Sequence, residues 1–184
     1  MSHNLVSRKL FRTVAAAIAA LSLSACVGSE NPLITDAKPL LGQQFEVHLY
    51  ESFVDNKASD FHASIYQWKD GQYVRLSGLA RDVKRFVAEP LAGGDFVIQS
   101  SGDQDKNYLY WIGRRLTPGV YLVFGIDEMD ADDVTRKAIC GGDRPDGVCR
   151  VTTHEQLLTM ARATAAKPPR NPALGVVLSR PTSF

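Results

Sequence analysis

The chain has 184 residues, 45% hydrophobic, 9% aromatic and 22% charged. These are the proportions of an ordinary globular protein, and they exclude collagen, coiled coil and wholesale disorder. Lys+Arg number 21 against 20 Asp+Glu, so there is no basic excess. Binding driven by phosphate neutralisation is disfavoured, and no nucleic-acid partner is expected.

The charge is unevenly placed at the N-terminus. Arg8, Lys9 and Arg12 are the only charged residues before Glu30, and they precede an apolar run from Thr13 to Leu23. A basic segment, a short apolar run and small residues before a cleavage point make a secretory signal. The run is shorter than the roughly 20 residues of a transmembrane helix. It ends in Leu23-Ser24-Ala25-Cys26, which resembles the lipobox of bacterial prolipoproteins, an aliphatic residue and two small ones before a cysteine. That resemblance implies a diacylglycerol thioether at Cys26, cleavage after Ala25 and acylation of the new amino group. The chemistry needs cysteine because a thiolate attacks the lipid donor. Several acyl chains, at about 0.8 kcal/mol per buried methylene, make such an anchor effectively permanent. Val27 in the second mature position, where Asp would retain the protein, implies delivery to the outer membrane, with the domain facing the periplasm or the cell surface. The resemblance covers only the first 26 residues. Removing residues 1–25 takes away three basic residues and no acid, turning the net charge from +1 to −2. The remainder is long enough for one domain with its own core.

Residues 26–43, with Gly28, Pro32, Pro39 and Gly42, read as a lipidated N-terminus and a flexible tether. Residues 44–184 read as a single globular domain. From Gln44 the pattern has period two: Phe45, Val47 and Leu49 alternate with Glu46, His48 and Tyr50, a half-buried strand. Phe61–Trp68 and Gln72–Leu76 follow, separated by Lys69-Asp70-Gly71, a strong hairpin signal. A weak repeat runs through GQYVRL at Gly71, GDFVIQ at Gly94 and GVYLVF at Gly119. An apolar run precedes each glycine, which predicts three consecutive hairpins. With the first strand they give about seven strands, as an antiparallel meander or a small barrel.

The C-terminal third reads as helical. Asp130–Ala138 has acids at its start and Arg136-Lys137 at its end, the polarity a helix macrodipole favours. Cys140 and Cys149 close a ten-residue, glycine-rich segment able to bring the sulfurs together. A disulfide there is worth roughly 2–3 kcal/mol in the chain-entropy model. The alternatives are free thiols, or a metal site adding His154, although the spacing is not that of a zinc finger. Thr153 and Gln156 have capping-box spacing and open a second helix over 154–166, with Leu157, Leu158 and Ala161 on one face. Pro168 and Pro169 stop it. Gly175–Leu178 reads as a last short strand. The fold class is therefore α+β and β-rich, with two short C-terminal helices.

Chemistry-bearing residues are sparse, and no catalytic residue, metal or cofactor is expected. His48 shares a strand face with Glu46 and Tyr50, and His62 lies beside Ser64 and Tyr66. Were the two histidines brought together, a metal or acid–base site would result. Ordinary strand histidines are the simpler reading. No nucleophile elbow or His-Glu-x-x-His helix occurs. Asp127, Glu128, Asp130, Asp132 and Asp133 could offer calcium ligands but lack EF-hand order, and entry into a helix explains most of them. Gly93-Gly94 and Gly141-Gly142 read as turn glycines. Tyr66, Trp68, Tyr73, Tyr108, Tyr110, Trp111 and Tyr121 fall on predicted strands, and of these Tyr66, Trp68, Tyr110 and Trp111 are candidates for a glycan or partner surface. Otherwise they fill the sheet's interior. The function these readings favour is a membrane-anchored envelope module, non-enzymatic, binding an envelope protein or glycan. The alternatives are a periplasmic hydrolase or metal-handling protein using His48 and His62, and a purely structural envelope component.

Overall fold

The computed structural model describes residues 27–50, 62–78, 83–101, 107–141, 147–169 and 175–181. The signal segment, Cys26 and Phe61 lie outside them, and only the backbone of His62 is described. The described residues are strand-rich, with one large, mostly antiparallel sheet and two helices. Its strands are β1 (Val27–Ser29), β2 (Gln44–Tyr50), β3 (His62–Lys69), β4 (Gln72–Ser77), β5 (Arg85–Pro90), β6 (Phe96–Ser101), β7 (Tyr108–Thr117), β8 (Val120–Gly125), β9 (Cys149–Arg150) and β10 (Gly175–Pro181). The helices are α1 (Asp133–Cys140) and α2 (His154–Ala165), and a 3-10 turn spans Glu128–Asp130.

All three expected hairpins form. Asp70 and Gly71 both have positive φ, 51° and 79°, as the tightest two-residue hairpin turn demands. Gly94 and Gly119, the other glycines of the weak repeat, also have positive φ. The repeat therefore marks three turns that each place a glycine at positive φ. The sheet order is β6-β5-β4-β3-β2-β10-β8-β7-β1-β9, with an additional pairing of β6 with β7. Within this order β2 to β8 and β10 each have an antiparallel neighbour on both edges. β10 joins β2 to β8 over Gly175–Pro181, longer than the expected Gly175–Leu178. Strands β1 and β9 have no periodic pattern of their own, so nothing in the sequence marks them as strands.

The two faces of the sheet are packed differently. Followed through Phe45↔Tyr66, Tyr73↔Phe86 and Phe96↔Gly113, one face carries stacked rings. Phe45, Tyr66 and Tyr73 are buried there, with Trp68 and Phe86 packed against them. A Cβ on Gly113 would run into the Phe96 ring, so this position needs glycine for close approach. The opposite face carries Val87, Val97, Tyr110, Ile112 and Phe124, covered by Val27, Ile34, Val151 and the α2 residues Leu157, Met160 and Ala161.

Both helices start where side chains satisfy their first N–H groups. Asp132 accepts from the Thr135 N–H and caps α1. Thr153 accepts from the Gln156 N–H and caps α2. The Gln156 side chain reaches back to the N–H and hydroxyl of Thr152, one residue earlier than a simple capping box predicts.

Candidate functional site

The first described residues do not form a tether. Val27 is 0% exposed, and Ser29 and Ile34 are buried. Strand β1 is paired on both edges, with β7 through Gly28↔Leu109 and with β9 through Val27↔Cys149. A Cβ on Gly28 would lie 3.0 Å from the Tyr108 carbonyl oxygen and 3.2 Å from Val148, so glycine permits this insertion. Polar groups complete the seat. The Ser29 hydroxyl is 2.6 Å from the Tyr110 hydroxyl, which in turn donates to Gln99 Oε1. The same Gln99 oxygen accepts from the N–H groups of Leu33 and Ile34, at 2.7 and 2.9 Å. Burial pushes the Tyr110 phenol up from its ordinary pKa, and the Ser29 hydrogen bond partly offsets this. Expected as a flexible tether, the segment from Val27 to Ile34 is docked. Its short apolar residues, separated by Pro and Gly, give no periodic signal that could have shown this.

Beside β1 lies the cysteine pair. The Cα atoms of Cys140 and Cys149 are 4.9 Å apart, with the sulfurs at bonding distance. The residue that joins them is Glu128, not the His154 of the alternative metal reading. Its carboxylate and the two sulfurs lie within 4.8 Å of one another, and all three residues are buried. His154 instead meets Glu89, Nε2 to Oε2 at 2.6 Å. Glu128 could not be singled out from sequence, because it sits inside a run of acids.

That acidic run does not converge on one point. Asp127 accepts from Met129 N–H, and Asp132 binds both the N–H and hydroxyl of Thr135. These bonds hold the Asp132 carboxyl below the ordinary carboxylate range. Asp133 pairs with Arg136 at 2.6 Å, and Lys167 Nζ lies 3.7 Å from Asp130. Helix entry and turn capping thus account for most of these residues.

The histidines and aromatics are placed apart. The register sets His48 across from Ala63 and His62 across from Leu49, so the two histidines are not paired. His48 Nε2 is 3.0 Å from Glu46. Tyr66 and Tyr110 are buried, whereas Trp68 and Trp111 are half-buried. Tyr66 and Trp68 belong to the stacked-ring face. Trp111 shares that face, its indole donating to Ser100 Oγ at 3.2 Å. Tyr110 belongs to the opposite, helix-covered face. The four rings therefore do not combine into one open surface. Packing took them, as β-propensity and ring-filling favour whenever a sheet has two covered faces.

No protein-family model, curated protein or solved structure matches this chain. Among the described residues, no helix is long and apolar enough to cross a membrane.

Proposed function

We propose that the chain is a bacterial envelope lipoprotein, cleaved after Ala25, acylated at Cys26 and non-enzymatic, working as a binding or accessory module. The observation that carries this reading is Leu23-Ser24-Ala25-Cys26 at the end of the apolar run, followed at once by Val27 of β1. The pairing of Cys140 with Cys149 supports it. Joined as a disulfide, they leave Cys26 as the one thiol for lipid, and a disulfide suits an exported domain. Outer-membrane delivery rests on Val27 following the cysteine.

In this reading the ring-lined face of the sheet is filled by Phe45, Tyr66, Tyr73 and Phe86, whose ring centroids lie 4.9–6.3 Å apart. That packing directs any partner, an envelope protein or a glycan, to other parts of the surface. The test is incorporation of labelled palmitate in a bacterial host. Label should enter the wild-type chain and be lost in Cys26→Ser. Label that survives the substitution refutes the assignment.

A further inference from the structure

Val27, the residue after Cys26, already belongs to the sheet: it is 0% exposed and β1 is held on both edges, so a single peptide bond separates that cysteine from β1. We propose that the acyl anchor seats the domain flush on the bilayer, with the corner built from the Glu128–Asp130 turn and α1 against the lipid headgroups. This rests on the lipoprotein reading above.

Three observations carry the placement. The first is reach: one residue spans at most about 3.6 Å. The headgroup layer is itself only roughly 5–7 Å deep on each side, so acyl chains on Cys26 in the hydrocarbon bring the surface around Val27 into that layer. The second is topology. β7 pairs β8 up to Trp111↔Gly125 and takes up β1 at Leu109↔Gly28, so the start of β1 abuts the end of β8. The Glu128–Asp130 turn follows Gly125 by three residues. The last residue of α1, Cys140, stands at bonding distance from Cys149, the register partner of Val27. Both elements of the corner are thus tied to the neighbours of Val27.

The third observation is the corner's surface. Met129 is 54% exposed and Val134 79%, the highest value among the exposed large hydrophobics of the described residues. Arg136 bridges the two elements, donating to Met129 Sδ at 3.2 Å and to Asp133 at 2.6 Å. Lys137 lies beside it on the exposed side of α1. Apolar side chains next to long basic ones are the composition that settles at a bilayer interface. The corner also carries five acids, Asp127, Glu128, Asp130, Asp132 and Asp133: Asp133 meets Arg136, Asp130 lies 3.7 Å from Lys167, and Asp127 and Asp132 accept from the Met129 N–H and from Thr135.

The test uses the acylated protein in vesicles of phosphatidylethanolamine and phosphatidylglycerol containing a headgroup-nitroxide lipid. An environment-sensitive fluorescent amino acid is placed at position 134, and separately at position 76. Leu76 is 56% exposed and lies on β4, four strands from β8 in either direction. Quenching should be several-fold stronger at position 134 than at position 76. Equal quenching in protein that carries acyl mass and floats with the vesicles overturns the flush seating alone. Protein without acyl mass that does not float overturns the lipoprotein reading and the seating together. Inserting roughly ten Gly/Ser residues between Cys26 and Val27, a flexible coil, should lower quenching at position 134 to the level at position 76. Undiminished quenching with the insert in place overturns the role of the direct junction.

Discussion

The two faces of the sheet are held together by different means. The ring-lined face is built from neighbours in the ladder: Phe45 and Tyr66 face each other across β2 and β3, and Tyr73 and Phe86 across β4 and β5. Its apolar groups meet where neighbouring strands of the ladder pair, between one hairpin and the next. The helix-covered face is assembled from segments far apart in the chain. Val27, Gln99, Tyr110, Cys149 and Leu157 come together there, closed by a cysteine pair and a chain of polar contacts. One face depends on ring volume, whereas the other depends on a few specific links between distant segments. Substitutions should separate the two.

The largest effect should come from the ring-lined face. Phe45 is buried between Tyr66, Tyr73 and Phe86, with centroids 5.8, 5.0 and 6.3 Å away. Phe45→Ala removes a ring from a site that cannot collapse, and should cost about 3–5 kcal/mol in denaturant unfolding. A loss under about 1 kcal/mol would show that the rings are not close-packed. Next comes the helix-covered face. Cys149→Ser should cost about 2–3 kcal/mol, because the loop it opens is short, and the protein should stay folded on its ring-lined core. Intact mass decides whether the bond exists. Uptake of two alkyl groups at Cys140 and Cys149 without prior reduction excludes it.

Alkali offers a sharper contrast. Burial pushes the Tyr73 phenol up to about 12, although its oxygen accepts from Leu41 N–H at 2.7 Å and donates to the Gly42 carbonyl at 3.0 Å. An unfolded chain ionises tyrosine near pH ~10. A folded value raised above the unfolded one means that the stabilisation is complete below the lower value and is lost as pH climbs towards the higher. Unfolding free energy should therefore fall between about pH 10 and 12. Tyr73→Phe should flatten that decline, at a cost near neutrality of about 1–2 kcal/mol for the Leu41 N–H left without its acceptor. Tyr110 is raised in the same direction. Tyr110→Phe should cost about 1 kcal/mol, because Ser29 Oγ keeps its bond to the Asn31 carbonyl.

The same contrast explains what was legible in the sequence. Local pattern foretold the strand over Gln44–Tyr50, the turn at Asp70-Gly71, the three hairpins, the Thr153 cap and the proximity of Cys140 and Cys149. Each follows from residues within about a dozen positions, where period, turn chemistry and capping act directly. Ser29 meeting Tyr110, Gln99 holding residues 33 and 34, and Glu128 beside the sulfurs do not follow from any local rule. A polar residue's partner across the fold depends on a register set elsewhere. The division of the four candidate aromatics between two faces was hidden for the same reason. Alternation assigns Tyr66 and Tyr110 to a face, but only the ladder shows that both faces are covered.

The smallest effects should lie in the helix caps, and there the two helices differ in chemistry. Thr153 caps α2 with a neutral hydroxyl, and Thr153→Ala should cost about 0.5–1 kcal/mol at every pH. Asp132 caps α1 with an exposed carboxylate whose pKa the Thr135 bonds lower. A folded value below the unfolded one gives stabilisation that is present above the ordinary carboxyl range and is lost as pH falls through the lowered value. Asp132→Asn keeps an acceptor for the Thr135 N–H but has no charge to lose. Its stability should therefore lie slightly below wild type near neutrality and converge on it in acid. The Thr153→Ala deficit should run parallel to wild type throughout. Unfolding curves of the three proteins from about pH 2 to 7 make the comparison across the carboxyl range. An Asp132→Asn deficit that stays constant into acid would show that the carboxylate's charge contributes nothing to the cap.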